Sequence, residues 1–303
     1  MKNQPTRRKF LQTSAISAAA MMLPAASMAS IQSTSNELTL LTKKTFNMKL
    51  GFMTSMAQDN TVPQLIDMAK THGYQAIEFR PEWKQAHGVE LSMTKTQRKE
   101  TRTRFADNGI IISAISPGVK FNNDERDQEL ETMVRYIDLA ADLGATCIRF
   151  FANPLPDDPA QRLESYKIQA EYQARAAEKA LDAGVILALE THYNSFGKDT
   201  GEMMFLAGYP PALRVNWHLA HCLKGGEDTD TAYRYVKGLV VHAHFSFPED
   251  PIEMKALERQ FELLLYDGFT GTFSVEIIKK GDNTNLLIEH ARKWKQMKAK
   301  FNV

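Results

Sequence analysis

The chain is poor in several things, and each shortage narrows what it can be. Of 303 residues only Cys147 and Cys222 are cysteine, too few for a disulfide framework; both are expected on separate strands as free thiols. No stretch reaches the roughly eighteen apolar residues that a membrane helix requires. The segment after the first strand-like run reads Gly51-Phe52-Met53-Thr54-Ser55. It lacks the G-x-G-x-x-G of a dinucleotide-binding doubly wound sheet. Positive charge is not in surplus either, with 37 Lys and Arg against 36 Asp and Glu. Neither nucleic acid nor an anionic membrane is therefore an expected partner.

Acidic residues are absent before Glu37, and that absence draws attention to the N-terminus. Thr6-Arg7-Arg8-Lys9-Phe10-Leu11-Gln12 has a twin-arginine pattern, an alanine-rich stretch follows, and Ser27-Met28-Ala29 has the small-x-small form of a cleavage site. Residues 1–29 are read as a twin-arginine signal peptide, handled by the twin-arginine translocase, and residues 30–45 as a flexible lead-in. The mature domain, 46–303, is then expected in the periplasm. Losing Lys2, Arg7, Arg8 and Lys9 takes the 37 basic residues to 33 against 36 acidic ones, a mildly acidic protein. A chain of this length suits one domain with a sizeable core.

What is present is a rhythm. Strand-like runs at Met48–Thr54, Gln75–Arg80, Gly109–Ile115, Thr146–Phe151, Val185–Thr191, Leu213–Trp217, Leu239–Phe245 and Thr270–Ile277 alternate with segments of helical period. One such helix carries a stripe of Leu163, Tyr166, Ala170, Ala174, Ala177 and Leu181. Another carries Leu130, Met133, Val134, Ile137, Ala140 and Ala141. Glycine follows several of these segments directly. Eight repeats of strand and helix in one block of uniform composition predict an α/β fold, a single (β/α)8 TIM barrel.

In such barrels the chemistry gathers where strands end. The fifth to eighth runs end in Glu190, His218, His244 and Glu276. Two carboxylates and two imidazoles from one contiguous half of the barrel make a cage suited to a divalent transition metal. Two residues before each lie Ala188, Asn216, His242 and Ser274. An inert layer would hold Val, Ile or Leu; three polar residues there are what ligands need beneath them for orientation. His72 and His290, on helices, are read as structural.

The order of these motifs is similar to that of the sugar phosphate isomerase/epimerase superfamily, the xylose isomerase-like barrels, over roughly residues 48–295. The resemblance rests on Glu190-Thr191-His192 for Glu-x-His at the fifth strand, His218-Leu219-Ala220-His221 for Asp-x-x-His at the sixth, His244 at the seventh, Glu276 at the eighth and Ile77-Glu78 at the second. Two positions depart from the pattern. His218 replaces the usual aspartate, and Ser246-Phe247 replaces the Lys-Asp that follows the seventh-strand histidine. The first change removes a negative charge and shifts the preference of a single bound dication toward Mn, Fe, Co or Zn.

The resemblance implies proton abstraction next to a carbonyl on a sugar. Glu190 and Glu276 fit the two proton carriers, while His221, His192, Glu78, Arg149 and Trp83 would contact hydroxyls or stack on the ring. An exported enzyme of this kind would meet a free ketose or a keto-glycoside more readily than a sugar phosphate. The expected function is a metal-dependent isomerase or epimerase on a keto-sugar, with a homo-oligomer as one expected form. The alternatives are a lyase on a keto-glycoside, by the same proton removal, and a non-catalytic sugar-binding barrel. An endonuclease-like phosphodiesterase ranks last, because strands two and three offer no histidine for further metals.

Overall fold

Eight parallel strands close on themselves. In the computed structural model, which describes residues 47–303 apart from 123 and 153, they are β1 (Lys49–Met53), β2 (Ala76–Phe79), β3 (Ile111–Ile115), β4 (Cys147–Phe151), β5 (Ile186–Glu190), β6 (Leu213–Asn216), β7 (Val240–Phe245) and β8 (Thr272–Val275). Each pairs with its sequence neighbour, and β1 pairs with β8 to seal the barrel. This is the α/β TIM barrel that the rhythm predicts. The segments read as signal peptide (1–29) and lead-in (30–45) lie outside the described residues.

The crossovers are α1 (Val62–His72), α2 (Lys95–Asp107), α3 (Arg126–Leu143), α4 (Pro159–Asp182), α5 (Gly197–Leu206), a pair α6 (Leu219–Lys224) and α7 (Thr229–Val236), then α8 (Pro251–Tyr266) and the closing α9 (Thr284–Lys300). Local sequence fixes their ends. Asp158 and Asp250 precede Pro159 and Pro251, and each aspartate side chain accepts from backbone N–H groups of the first turn. At the other end, Gly73 and Gly144 take left-handed conformations, φ 81° and 69°, that stop α1 and α3. No described helix is long and apolar enough to cross a membrane.

Alternation sorts the strand residues. On β4, Ile148 and Phe150 face the helices within the main core, whereas Cys147 packs inside the barrel with Ala114 and Ala188. Small side chains thus fill the lower interior, which leaves the upper interior to larger polar ones.

Two details of the sequence reading change. In α4 the buried face runs through Tyr166, Gln169, Ala170, Gln173, Ala176, Ala177 and Ala180, while Leu163 and Leu181 are exposed. The helix is turned by a fraction of a residue spacing relative to the apolar stripe, so two glutamines are covered and two leucines are not. Cys222 lies in α6 and not on a strand; it and Cys147 are buried and free.

Candidate functional site

The C-terminal ends of β5 to β8 bring four side chains to one place. Glu190 is the last residue of β5, His218 caps α6 just past β6, His244 lies on β7 and Glu276 follows β8. The Nδ1 atom of His244 is 3.0 Å from Glu190 Oε1 and 3.0 Å from Glu276 Oε2. His218 Nδ1 is 3.0 Å and 3.2 Å from the same two oxygens. The ladder and a local clamp hold these positions. Glu276 N–H donates to the Phe245 carbonyl at 2.9 Å, and Thr191 Oγ1 accepts the His218 N–H at 2.8 Å.

Beneath this quartet lies a second one. His244 turns its other nitrogen, Nε2, to Glu78, 2.9 Å from Oε1 and 3.0 Å from Oε2. His242 Nε2 reaches Glu78 Oε2 at 3.0 Å, and Ser116 Oγ donates to Oε1. Glu78 is 0% exposed. It was expected to contact substrate hydroxyls, but the structure places it under His244, with both oxygens already taken. The polar layer that the sequence suggested is buried here, with Asn216, His242 and Ser274 inside the barrel.

Charge settles accordingly. Burial alone would keep His244 neutral, but Glu78, Glu276 and Glu190 outweigh it and hold its pKa well above the ordinary histidine value. Burial would raise the pKa of Glu276, yet His244 brings it down to about 2. Glu190 and Glu78 also lie well below the usual carboxylate range: His244 overcomes the burial of both, with Arg149 helping at Glu190 and His242 at Glu78. All three glutamates are therefore carboxylates at neutral pH.

The donor set fits a divalent transition metal. Two imidazole nitrogens and two carboxylate oxygens lie within 4.8 Å of one another, and the 3.0–3.2 Å separations between unlike atoms are those of neighbouring ligands around an ion bound at about 2.0–2.2 Å. The two carboxylates match the ion's charge. Glu78 beneath His244 is the carboxylate that metal-bound histidines characteristically carry on their far nitrogen.

His192, His221 and Arg149 gather beside Glu190. His192 and His221 have ring centroids 4.5 Å apart, and His221 lies 4.1 Å from the His218 ring. Burial is the main reason both are held neutral, His221 with a pKa lowered to about 3. His192 stacks on Phe151. Arg149 is 1% exposed, and its Nε is 3.3 Å from Glu190 Oε2. Glu190, His192 and His221 also fall within 4.8 Å of one another, but a guanidinium on Glu190 opposes a second cation there. Trp83 sits on the β2–α2 segment, 37% exposed, with the Arg80 guanidinium 4.4 Å above its ring.

Sequence reasoning passed over Ser116 and Arg80. Arg80 was in reach, because it stands two residues after Glu78 and alternation sends both inward. Ser116 has no comparable signal; a serine closing a strand is ordinary. The Ser246-Phe247 departure also gains a physical meaning. Phe247 is buried against Phe245 and His290. His290 Nδ1–H donates to the Leu286 carbonyl at 2.9 Å, and its Nε2 accepts the Phe247 N–H at 3.2 Å. A position that is polar in the resembling family has here become an anchor for the strand-seven loop.

A closed barrel with carboxylates and imidazoles at the ends of its last four strands defines a class of TIM barrels with a candidate metal site. Within it, the chain belongs to the xylose isomerase-like TIM barrel family, whose model matches residues 66–297. Among solved structures it is similar to L-ribulose 3-epimerase, with a TM-score of 0.67 and 17% identity over 84% of this chain and 97% of that one. It is similar to the apo form of 3-keto-D-glucoside 4-epimerase from E. coli, at 0.66 and 13% over 82% and 99%. It is also similar to the IOLI protein with a bound zinc atom, at 0.66 and 16% over 84% and 97%. At these identities the likeness is one of fold. No curated protein matches the chain.

Proposed function

We propose that this protein is a divalent-metal-dependent isomerase or epimerase that removes a proton next to the carbonyl of a keto-sugar. The observation that carries the reading is the quartet Glu190, His218, His244 and Glu276, whose donor atoms converge at 3.0–3.2 Å. Epimerases on the same fold support it. When bound, a divalent ion supplies fixed positive charge toward which the negative charge of an enediolate develops.

The chain's own residues divide the rest of the work. Glu276 is the better placed proton carrier: it is 11% exposed and faces the mouth. Glu190 meets the histidines through Oε1 and Arg149 through Oε2, which holds it in place and weakens it as a base. It stands across the His pair from Glu276 and returns the proton to the opposite face in an epimerisation. The neutral imidazoles of His192 and His221 donate to, or accept from, sugar hydroxyls. In the periplasmic setting that the N-terminus implies, the sugar is a free ketose or a keto-glycoside. The E. coli neighbour named for a 3-keto-D-glucoside favours one second reading, in which the same proton removal expels a β-oxygen and the enzyme is a lyase.

The test is elemental analysis of the purified protein together with uptake of solvent deuterium into ketoses. We expect about one transition metal per chain, and exchange at the carbon next to the carbonyl that Glu276→Gln reduces by at least roughly a hundredfold. A protein that binds keto-sugars with no metal, and exchanges no deuterium with metal supplied, is a binding barrel and not an enzyme.

A further inference from the structure

Arg149, on β4, carries guanidinium nitrogens that the carboxylates around it do not hydrogen-bond. Arg149 is 1% exposed, yet none of Nε, Nη1 and Nη2 has a hydrogen-bond partner among the described residues. Its approach to Glu190 Oε2, at 3.3 Å through Nε, is an ion pair without hydrogen-bond alignment. A buried guanidinium with three idle donor nitrogens is costly unless something else meets them.

Arg80, just past β2, is only partly buried. Its backbone N–H is tied to Thr54 Oγ1 at 3.0 Å and its guanidinium lies on the Trp83 ring, but that guanidinium makes no ion pair with a described residue. Both arginines belong to the same half of the barrel, Arg80 just past the C-terminal end of β2 and Arg149 on β4, and the charge of Arg149 adds to burial in lowering the pKa of Arg80 to about 10. The segment that holds Arg80 and Trp83 is fixed in an unfavourable backbone. Glu82 and Lys84, on either side of Trp83, both have positive φ, 73° and 52°. Glu82 is locked by accepting from the Gly118 N–H at 2.9 Å and the Tyr136 hydroxyl at 2.7 Å.

We infer that Arg80, with Arg149 behind it, forms a subsite for a carboxylate on the substrate, so that the sugar taken by this site is an acid sugar such as a keto-uronate. This rests on the reading of the site as one for keto-sugars and narrows it. The charge count agrees. With a dication in place His244 would be a neutral ligand; Glu78, Glu190 and Glu276 then contribute three negative charges, while the two arginines and the dication contribute four positive ones. One anionic group therefore makes the site neutral. A planar guanidinium fork pairs with a carboxylate through two parallel hydrogen bonds. Such a pair uses nitrogens that are otherwise idle and separates two like charges.

The experiment compares three ketoses that differ only at C6: D-fructuronate, D-fructose and D-fructose 6-phosphate. Binding to the metal-loaded protein is measured by calorimetry and by the shift in Tm, neither of which needs turnover. We expect D-fructuronate to bind about 10- to 100-fold tighter than D-fructose. Arg80→Gln should remove most of that preference while D-fructose binding changes less than about twofold. Arg149→Lys, which keeps the charge but loses the fork, should also reduce it. Without sugar, Arg80→Gln should change Tm little, since it removes the repulsion with Arg149 together with attractions to Glu276, Glu190 and Glu78; a structural arginine would lower it.

Equal binding of D-fructuronate and D-fructose overturns the inference. So does a preference that survives Arg80→Gln, or one shown only by the phosphate ester. Deuterium exchange into D-fructose without that preference leaves the proposed function standing and removes only the acid-sugar subsite. Arg80-dependent binding of D-fructuronate with no exchange into any ketose does the reverse.

Discussion

The two nitrogens of His244 face different surroundings, and the contrast separates what stabilises this barrel from what acts in it. On the Nε2 side, Glu78, His242 and Ser116 form a closed set in which each carboxylate oxygen has a donor. On the Nδ1 side, Glu190, Glu276 and His218 crowd the same few ångströms. Two carboxylates there must share two imidazoles, and Glu276 and His218 reach solvent, at 11% and 12% exposure. The residue types are the same on both sides. Burial and the ratio of donors to acceptors distinguish them: the lower set is satisfied by the chain itself, while the upper set leaves two carboxylates on two imidazoles, as the proposed metal site requires.

The contrast breaks most completely at the shared imidazole. His244→Ala leaves Glu78 with one histidine and a serine, in a site 0% exposed. Removing one partner of a buried ion pair costs about 3–5 kcal/mol. We expect a loss of that order in urea unfolding and a purified protein without stoichiometric metal. A loss below about 1 kcal/mol shows that Glu78 does not depend on His244, and the lower set is then not a support.

A smaller effect sharpens the same comparison from below. Glu78→Gln replaces no proposed ligand, so a purely structural Glu78 predicts lost stability alone. A carboxylate that orients His244 predicts more: metal affinity weakened about 10- to 100-fold, with about 1.5–3 kcal/mol of stability lost with the charge-assisted hydrogen bonds. Competition with a chelator measures the first and urea unfolding the second. Unchanged metal affinity reduces the lower set to packing.

The upper set was legible in the sequence and much of the lower set was not. Strand ends are marked by apolar runs giving way to Glu190, His218, His244 and Glu276, and in a barrel that position alone directs them to one mouth. Their convergence needed only the fold class. His242 was legible too, by alternation from His244. Glu78 was visible as a residue but not in its role, because its pairing with β7 crosses the barrel interior, which no local spacing encodes. The same limit hid the Arg80 and Arg149 pair, which stand 69 positions apart. The turn of α4 was misjudged because alanine and glutamine fill a helix–barrel interface where leucine was expected.

The smallest expected change in stability falls at the residue proposed to do the most. Glu276 and Glu190 repel each other, which raises the pKa of Glu276 against the pull of His244. Glu276→Gln removes that repulsion together with an attraction to two imidazoles. In the metal-free protein the attraction wins, since the pKa of Glu276 falls to about 2, but at this partly solvated position the loss should stay near about 1 kcal/mol, below that at Glu78. The Glu78→Gln protein, by contrast, is destabilised whether or not metal is present. Addition of metal should then widen the loss for Glu276→Gln, since wild type gains more from an ion held by two carboxylates than the variant does from one carboxylate and an amide. Thermal melts with and without metal decide it. If Glu276→Gln destabilises the metal-free protein as much as Glu78→Gln does, the upper set is structural like the lower one, and the division drawn at His244 is wrong.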